Sequence, residues 1–159
     1  SKEFLSNNPA KSHQLLALLA ETIIDYLVGQ VKAGAQILIL FDSHANQLSP
    51  DHFNTFSLPY LRQIVDGVKQ YTTTLLPPVP IAVFAKGANY ALEDIAQFSD
   101  IVGLDWTIDP EEAVRRVGER CVLQGNLDPC ALYGTPDVIR QEVLYTLHLC
   151  SHFDLLILR

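Results

Sequence analysis

The chain lacks methionine, has one tryptophan among 159 residues, and is poor in positive charge: eleven Lys and Arg stand against eighteen Asp and Glu, a formal net charge of −7. No run of cations exceeds the pair Arg115-Arg116. Binding to nucleic acid or to an anionic membrane surface by bulk electrostatics is therefore disfavoured. Cysteine is sparse too: Cys121, Cys130 and Cys150 are odd in number and show no C-x-x-C spacing. That pattern suits free thiols in a reducing compartment better than a disulfide framework. No signal peptide is expected, and the most apolar helical stretch is interrupted by Glu21 and Asp25 before the roughly 20 apolar residues a bilayer span needs. The expectation is a soluble, cytoplasmic chain with no membrane span, an organelle staying open if it belongs to an assembly. Beginning at Ser1 without any Met, the chain is also expected not to be a complete primary translation product.

Several signatures are missing as well. Without G-x-S-x-G, P-loop or EF-hand patterns, nucleophilic acyl transfer, nucleotide binding and calcium binding have no support. What is present is apolar. At 48% hydrophobic and 18% charged, with mean hydropathy +0.16, the chain either expects a partner over part of its surface or has an α/β core with strands buried on both faces. Its length is that of one domain burying about 68–70% of its unfolded surface.

The segment Ile101–Gly134 holds one complete repeat and the start of the next. Ile101–Leu104 and Cys121–Gln124 are short runs, apolar throughout, as parallel strands buried on both faces require. Between them Asp109-Pro110-Glu111-Glu112 starts a helix, with Asp109 as cap, Pro110 at the first helical position and Glu112 closing a capping box. The same grammar recurs along the chain. Residues 1–10 read as a leading loop. From Ser12 a helix carries Leu16, Leu19, Ile23 and Tyr26/Leu27 on one face, and Gly34 stops it. Residues 36–41 form a strand. Ser49-Pro50-Asp51 opens another helix that Pro59 should break or kink, residues 72–80 form a loop, residues 81–84 a strand and residues 92–98 a short helix. Thr135-Pro136-Asp137 opens the last helix, and Leu155–Leu158 is a final apolar run.

Five strand candidates alternate with five helix candidates, which argues for βα units and a parallel sheet. A dinucleotide-type sheet should show a Gly-rich turn after its first strand, and Phe41-Asp42-Ser43-His44-Ala45 has no glycine. A partial (β/α)8 TIM barrel is favoured. A closed barrel needs at least about 200 residues, so residues 1–159 are expected to form a single incomplete domain with unpaired strand edges.

In such a fold the loops leaving the strands build the site. They carry Asp42, Ser43, His44, Lys86, Asp105, Asn126 and Asp128. Each also has a plainer reading. Asp128, before Pro129, could cap a short helix; Asp105 could satisfy backbone donors of its own loop; Ser43 and His44 could be ordinary loop polar groups. Lys86, as the cation of the set, would carry recognition of an anionic ligand, or would be merely solvated. His148 and His152 lie four apart, yet no carboxylate follows at metal-ligand spacing, so no metal site is expected.

Taken together, Val102-Gly103-Leu104-Asp105-Trp106 and Gln124-Gly125-Asn126-Leu127-Asp128-Pro129 closely resemble uroporphyrinogen decarboxylase. Ser12–Leu16, Tyr26–Gln30, Ala33–Gln36, Phe41–Ala45, Leu58–Tyr60 and Phe84–Lys86 agree with that family. The match runs from about Ser12 to Cys150 and looks like the C-terminal half of the eukaryotic type. The resemblance implies a (β/α)8 barrel, a homodimer, and a carboxy-lyase using no metal or organic cofactor, which converts uroporphyrinogen III to coproporphyrinogen III by four acetate decarboxylations. It also implies that Ser43 contacts the tetrapyrrole substrate and that His44, Lys86, Asp105, Asn126 and Asp128 line the site. The family's arginine-bearing segment, its pyrrole-binding aspartate and its substrate tyrosine have no match, and its Asn-Leu-Gly-His-Gly motif is replaced by Phe153–Arg159. No catalytic residue is therefore assigned, and the chain alone is expected to be inactive. The alternative is a degenerate, non-catalytic copy packed on another protein chain as a structural subunit. A corrinoid-linked methyltransferase would need a His/Cys zinc site, which is not found.

Overall fold

Short runs with no polar interruption form strands here, and residue pairs of cap plus proline start the helices between them. The computed structural model describes residues 2–75, 78–151 and 155–156; side chains at 74–75, 148–151 and 155–156 fall outside that description. The elements are α1 (Lys2–Asn7), α2 (Pro9–Lys32), β1 (Leu38–Asp42), α3 (Pro50–Phe56), α4 (Leu58–Leu75), β2 (Ile81–Ala85), α5 (Leu92–Ile95), β3 (Ile101–Gly103), α6 (Pro110–Val117), β4 (Val122–Gln124), α7 (Pro136–Ser151) and β5 (Leu155–Leu156).

All neighbouring strands pair in parallel, in the spatial order β1-β2-β3-β4-β5. Sequential order without a reversal is that of an arc of a (β/α) barrel, since a doubly wound sheet would jump at a switch point. The register pairs Leu38 with Ile81 and Leu40 with Val83, and Val83 with Val102, then Val102 with Leu123. These residues share the helix-covered face, where they meet Leu61, Val65 and Val68 in one buried core. Alternation puts Ile39, Phe41 and Phe84 on the other face. There Phe41 is 63% exposed and meets Phe84 edge-on at 5.9 Å.

Local chemistry set the helix starts. Ser49 and Asp109 accept from the amides of His52 and Glu112, each followed by a proline at the first helical position. The carboxylate of Glu112 turns to Arg116 at 3.8 Å. Arg116 also holds Glu93 in a two-pronged pair, Nε–Oε1 2.6 Å and Nη2–Oε2 2.5 Å, joining α6 to α5. At the amino ends of the strands, Asp100 accepts from Lys69 Nζ and from Ile81 N, tying α4 to β2 and β3.

The structure corrects several expectations. Residues 2–7 are helical rather than a loop, because only Asn8 interrupts the helical run and Pro9 serves as a helix start. The face that α2 buries is Ala20, Leu27, Val28 and Val31, while Leu19 and Tyr26 are 47% and 67% exposed. Gly67 of α4 permits close approach of the two helices, since a Cβ there would lie 2.6 Å from Ile24 Cδ1. With Glu21 and Asp25 included, α2 still meets the length and hydropathy of a membrane span; here it is the wall helix packed on α4. Strand β1 is shifted to Leu38–Asp42. Pro59 lies in the first turn of α4, where its missing amide costs nothing, and the helices part at Ser57. Helix α4 runs on to Leu75, with buried Thr72 donating back to Val68 O at 3.0 Å. The His148 side chain, His152 and the last apolar run beyond Leu156 lie outside that description.

These exposures give a direct test. Leu27→Ala should cost about 2–5 kcal/mol, the range for emptying a buried leucine site, whereas Leu19→Ala should stay within about 0.5 kcal/mol. Urea midpoints of the two variants check this, and a larger loss for Leu19→Ala than for Leu27→Ala would mean that α2 packs on the other face.

Candidate functional site

At the carboxyl ends of the strands, four loops are joined to one another by hydrogen bonds. Lys86 N donates to Asp42 O at 3.1 Å and Asn46 N donates to Lys86 O at 2.9 Å, binding the β1 loop to the β2 loop. Gly87 follows with φ +74°, and a Cβ there would lie 2.5 Å from Asn46 Cβ, so the turn needs glycine. This conformation aims the Gly87 amide at Asp105, whose Oδ2 accepts it at 2.5 Å. Asp105 Oδ1 accepts from Thr107 N at 2.8 Å, from Asn89 Nδ2 at 3.3 Å and from the Thr107 hydroxyl. The β4 loop closes the series: Asn126 Nδ2 donates to Asp105 O at 3.2 Å and Ile108 O at 2.7 Å. Ahead of it, Gly125 has φ +131°, and a Cβ would meet Leu104 O at 2.5 Å; the Gly125–Asn126 peptide is cis.

Asp105 is 4% exposed. Burial is the largest single influence on its carboxyl and pushes it up, but the bonds from Thr107, Gly87 and Asn89 together outweigh burial and hold it below its ordinary value. It is thus a charged group kept inside by neutral donors. Asp128 also faces its own chain, accepting from Cys130 N at 2.8 Å to start the turn Pro129–Tyr133. Asp42 accepts from Ser57 Oγ at 2.6 Å.

Three of the sequence candidates are differently placed. Ser43 and His44 are exposed in the β1 loop. Lys86 is half-buried, with Nζ 5.0 Å from the centroid of the Trp106 ring, itself 40% exposed. Exposed Phe41 adds an apolar surface beside Ser43. In the sequence Phe41 is a strand terminus and the first residue of the Phe41–Ala45 segment, and neither places it in the site; the alternation Ile39, Phe41, Ser43 carried the signal. Asn89 and Thr107 were also missed. The spacing Asp105-x-Thr107, in which a carboxylate can bond the amide two residues on, was a readable cue, whereas nothing local marked Asn89. Tyr90, 39% exposed, packs edge-on against Phe53 at 5.8 Å, and its hydroxyl is raised by burial and then by the charge of Asp42.

The arrangement sorts what could bind. A cleft of about 340 Å³ between the β3 and β4 loops and α7 is lined by Asp109, Asp128 and Glu142, so it repels anions. A second cavity, about 430 Å³, lies at the amino ends of the strands beside Lys69 and Asp100, away from these loops. Among the candidate loop residues the positive charge is Lys86, with exposed Ser43, His44 and Phe41 in the neighbouring β1 loop and Trp106 at its ammonium. Among the described residues, no group of three or more His, Cys, Asp or Glu is placed to hold a metal ion. Cys121 and Cys130 are free thiols: burial pushes Cys121 up to about 11, and the charge of Asp128 raises Cys130. Both are poorly ionised near neutral pH.

A parallel βα arc with its polar groups gathered on the carboxyl-end loops is part of an α/β barrel, a fold class whose ligand sites lie at that face. Among solved structures, a methyltransferase from Methanosarcina mazei is similar in fold, with TM-score 0.81 at 23% identity over 98% of this chain and 45% of its own. The family model for uroporphyrinogen decarboxylase (URO-D) matches residues 1–153, and the chain belongs to that family. It is 50% identical to uroporphyrinogen decarboxylase of Homo sapiens over 145 residues, 90% of this chain and 40% of the relative. The Dictyostelium discoideum protein is 49% identical over 144 residues and that of Salinibacter ruber 48% over 148 residues. The chain spans about 40% of the length of the curated relatives it matches.

The buried carboxylate makes a signed prediction. Because the folded Asp105 carboxyl lies below its unfolded value, near 3.9, its contribution to stability is full above that pH and is lost as pH falls through the folded value. The stability difference between the native chain and Asp105→Asn should be flat above about pH 5 and shrink on acidification. Urea denaturation across a pH series checks this; a difference that grows toward acid would contradict it.

Proposed function

We propose that this chain is the carboxyl-end portion of a uroporphyrinogen decarboxylase site, receiving a tetrapyrrole over Phe41, Ser43 and the Lys86–Trp106 pair. The observation that carries the reading is the intact loop chemistry, Phe41–Ala45, Phe84–Gly87, Val102–Thr107 and Gln124–Pro129, in a family member about half identical to decarboxylases named as such. In the reaction, protonation of a pyrrole carbon turns that ring into an electron acceptor. The bond to the acetate carboxyl breaks, its electron pair enters the ring and CO2 leaves. A proton added to the exocyclic carbon gives a methyl group, and loss of the ring proton restores the pyrrole. The substrate supplies its own electron sink, a role elsewhere given to a bound cofactor. The protein's part is orientation and charge placement. Lys86 offers an ammonium to a carboxylate arm, Ser43 a hydroxyl donor, and Phe41 with Trp106 apolar area for the macrocycle.

A substrate with eight carboxylates needs more cationic charge than one lysine on an acidic chain. The 159-residue polypeptide by itself is accordingly a binder without turnover. A homodimer in the cytoplasm belongs to the same reading. A second reading, a non-catalytic subunit packed on another chain, is favoured by one observation: Leu15, Leu18, Leu19 and Tyr26 of α2 and Val143, Leu144 and Leu147 of α7 are exposed.

Uroporphyrin, a stable oxidised analogue, should quench Trp106 fluorescence saturably. Ser43→Ala and Lys86→Met should each weaken Kd about fivefold, the ~1 kcal/mol of one hydrogen bond or partly exposed charge contact. Incubation with uroporphyrinogen should yield no coproporphyrinogen by chromatography. Binding indifferent to both substitutions would overturn the proposed site, and turnover would overturn the inactivity.

A further inference from the structure

Trp106 and Lys86 belong to different loops, and the residues directly following them, Thr107 and Gly87, donate their amides to the same carboxylate. Asp105 thus grips both loops one residue beyond the side chains that stack, where Lys86 Nζ lies 5.0 Å from the centroid of the Trp106 ring. Buried at 4% exposure, the carboxylate is satisfied by Gly87, Asn89 and Thr107. All three are neutral donors. Lys86 is not one of its partners and forms no ion pair among the described residues. A cation on the open face of a ring keeps its remaining N–H donors toward solvent. Were Asp105 to pair with Lys86, the charge would be neutralised within the loops and unavailable to a ligand.

We propose that Asp105 is a positioning residue: by binding the Gly87 and Thr107 amides it holds the Lys86 ammonium on the Trp106 face, unneutralised, as the receiving group for one carboxylate of the ligand. The identity of that ligand rests on the tetrapyrrole reading; the tie itself does not. Asp105 touches no ligand in this scheme. It keeps two like-stranded loops in the spacing that makes the lysine a receptor, and its own charge is spent on the backbone.

Since Trp106 is the single tryptophan, its fluorescence reports this spot alone, and iodide is a suitable anionic probe. In the intact chain, Lys86→Met should lower the Stern–Volmer constant for iodide about twofold, the effect of one partly screened charge at this range, while quenching by neutral acrylamide stays unchanged. Asp105→Asn, with helicity verified by circular dichroism, should lower the iodide constant to the Lys86→Met value, and the double variant should fall no further. If Asp105→Asn does not fold, Asp105→Glu, which keeps the charge but displaces the carboxylate from both amides, should lower the iodide constant toward the Lys86→Met value. The proposal is overturned if folded Asp105→Asn quenches like the native chain, if Lys86→Met lowers the constant equally in both backgrounds, or if Asp105→Glu quenches like the native chain where it is the variant used. Coupled iodide quenching together with absent uroporphyrin binding would leave the tie standing and remove the tetrapyrrole reading.

Discussion

The carboxylate of Asp105, buried and bonded to donors from two loops, is the contact on which the carboxyl-end face of this sheet depends. An ionised group inside a protein is tolerable only when its lone pairs are occupied, and here Gly87, Asn89 and Thr107 occupy them. Those bonds need Gly87 in a left-handed turn against Asn46. They also place the Asp105 carbonyl where Asn126 can reach it. Through Lys86 and its backbone bonds to Asp42 and Asn46, the same network extends to the loop bearing Ser43. The four strand ends are therefore one connected unit, although each strand is only three to five residues long.

Beneath that rim the sheet is covered by helices on one face. Leu38, Leu40, Ile81, Val83, Val102 and Leu123 pack there with α2 and α4 in the single buried core. Parallel sheets are normally buried on both faces, and the opposite face leaves Phe41 largely exposed. The apolar composition of the chain follows from this: its strands carry side chains suited to two buried layers. Exposed leucines on α2 have the same origin, since that helix buries only the stripe that meets α4. The amino ends are tied separately, by Asp100 between Lys69 and the Ile81 amide.

Much of the architecture was legible in the sequence because its causes are local. Short apolar runs fixed β2, β3 and β4 to within a residue, Ser49-Pro50 and Asp109-Pro110 each cap and start a helix where expected, and Asp128-Pro129 takes the plainer of its two readings, a cap on a short turn. Failures came where distant contacts decide. Helical spacing fits Leu16, Leu19, Ile23 and Tyr26/Leu27 as well as Ala20, Leu27, Val28 and Val31; of the first set Leu27 is buried and Ile23 packs on the core, while Leu19 and Tyr26 stay exposed. Asn8-Pro9 carries loop chemistry and helix-start chemistry at once. For the loop residues, sequence placed Asp105 at the strand end without revealing which way its oxygens point, because Gly87 and Asn89, 18 and 16 residues away, supply those partners. The stacking of Lys86 on Trp106 is likewise a product of two loops meeting.

Amide hydrogen exchange tests this account most directly. Gly87 and Thr107 lie in surface loops, yet their N–H groups are donated to a buried carboxylate, so both should exchange as slowly as strand amides such as that of Val83 and should lose this protection in Asp105→Asn. Exchange of either amide in the native chain at the rate of an open loop would show that Asp105 does not hold the rim, and the proposed order of the strand-end face would go with it.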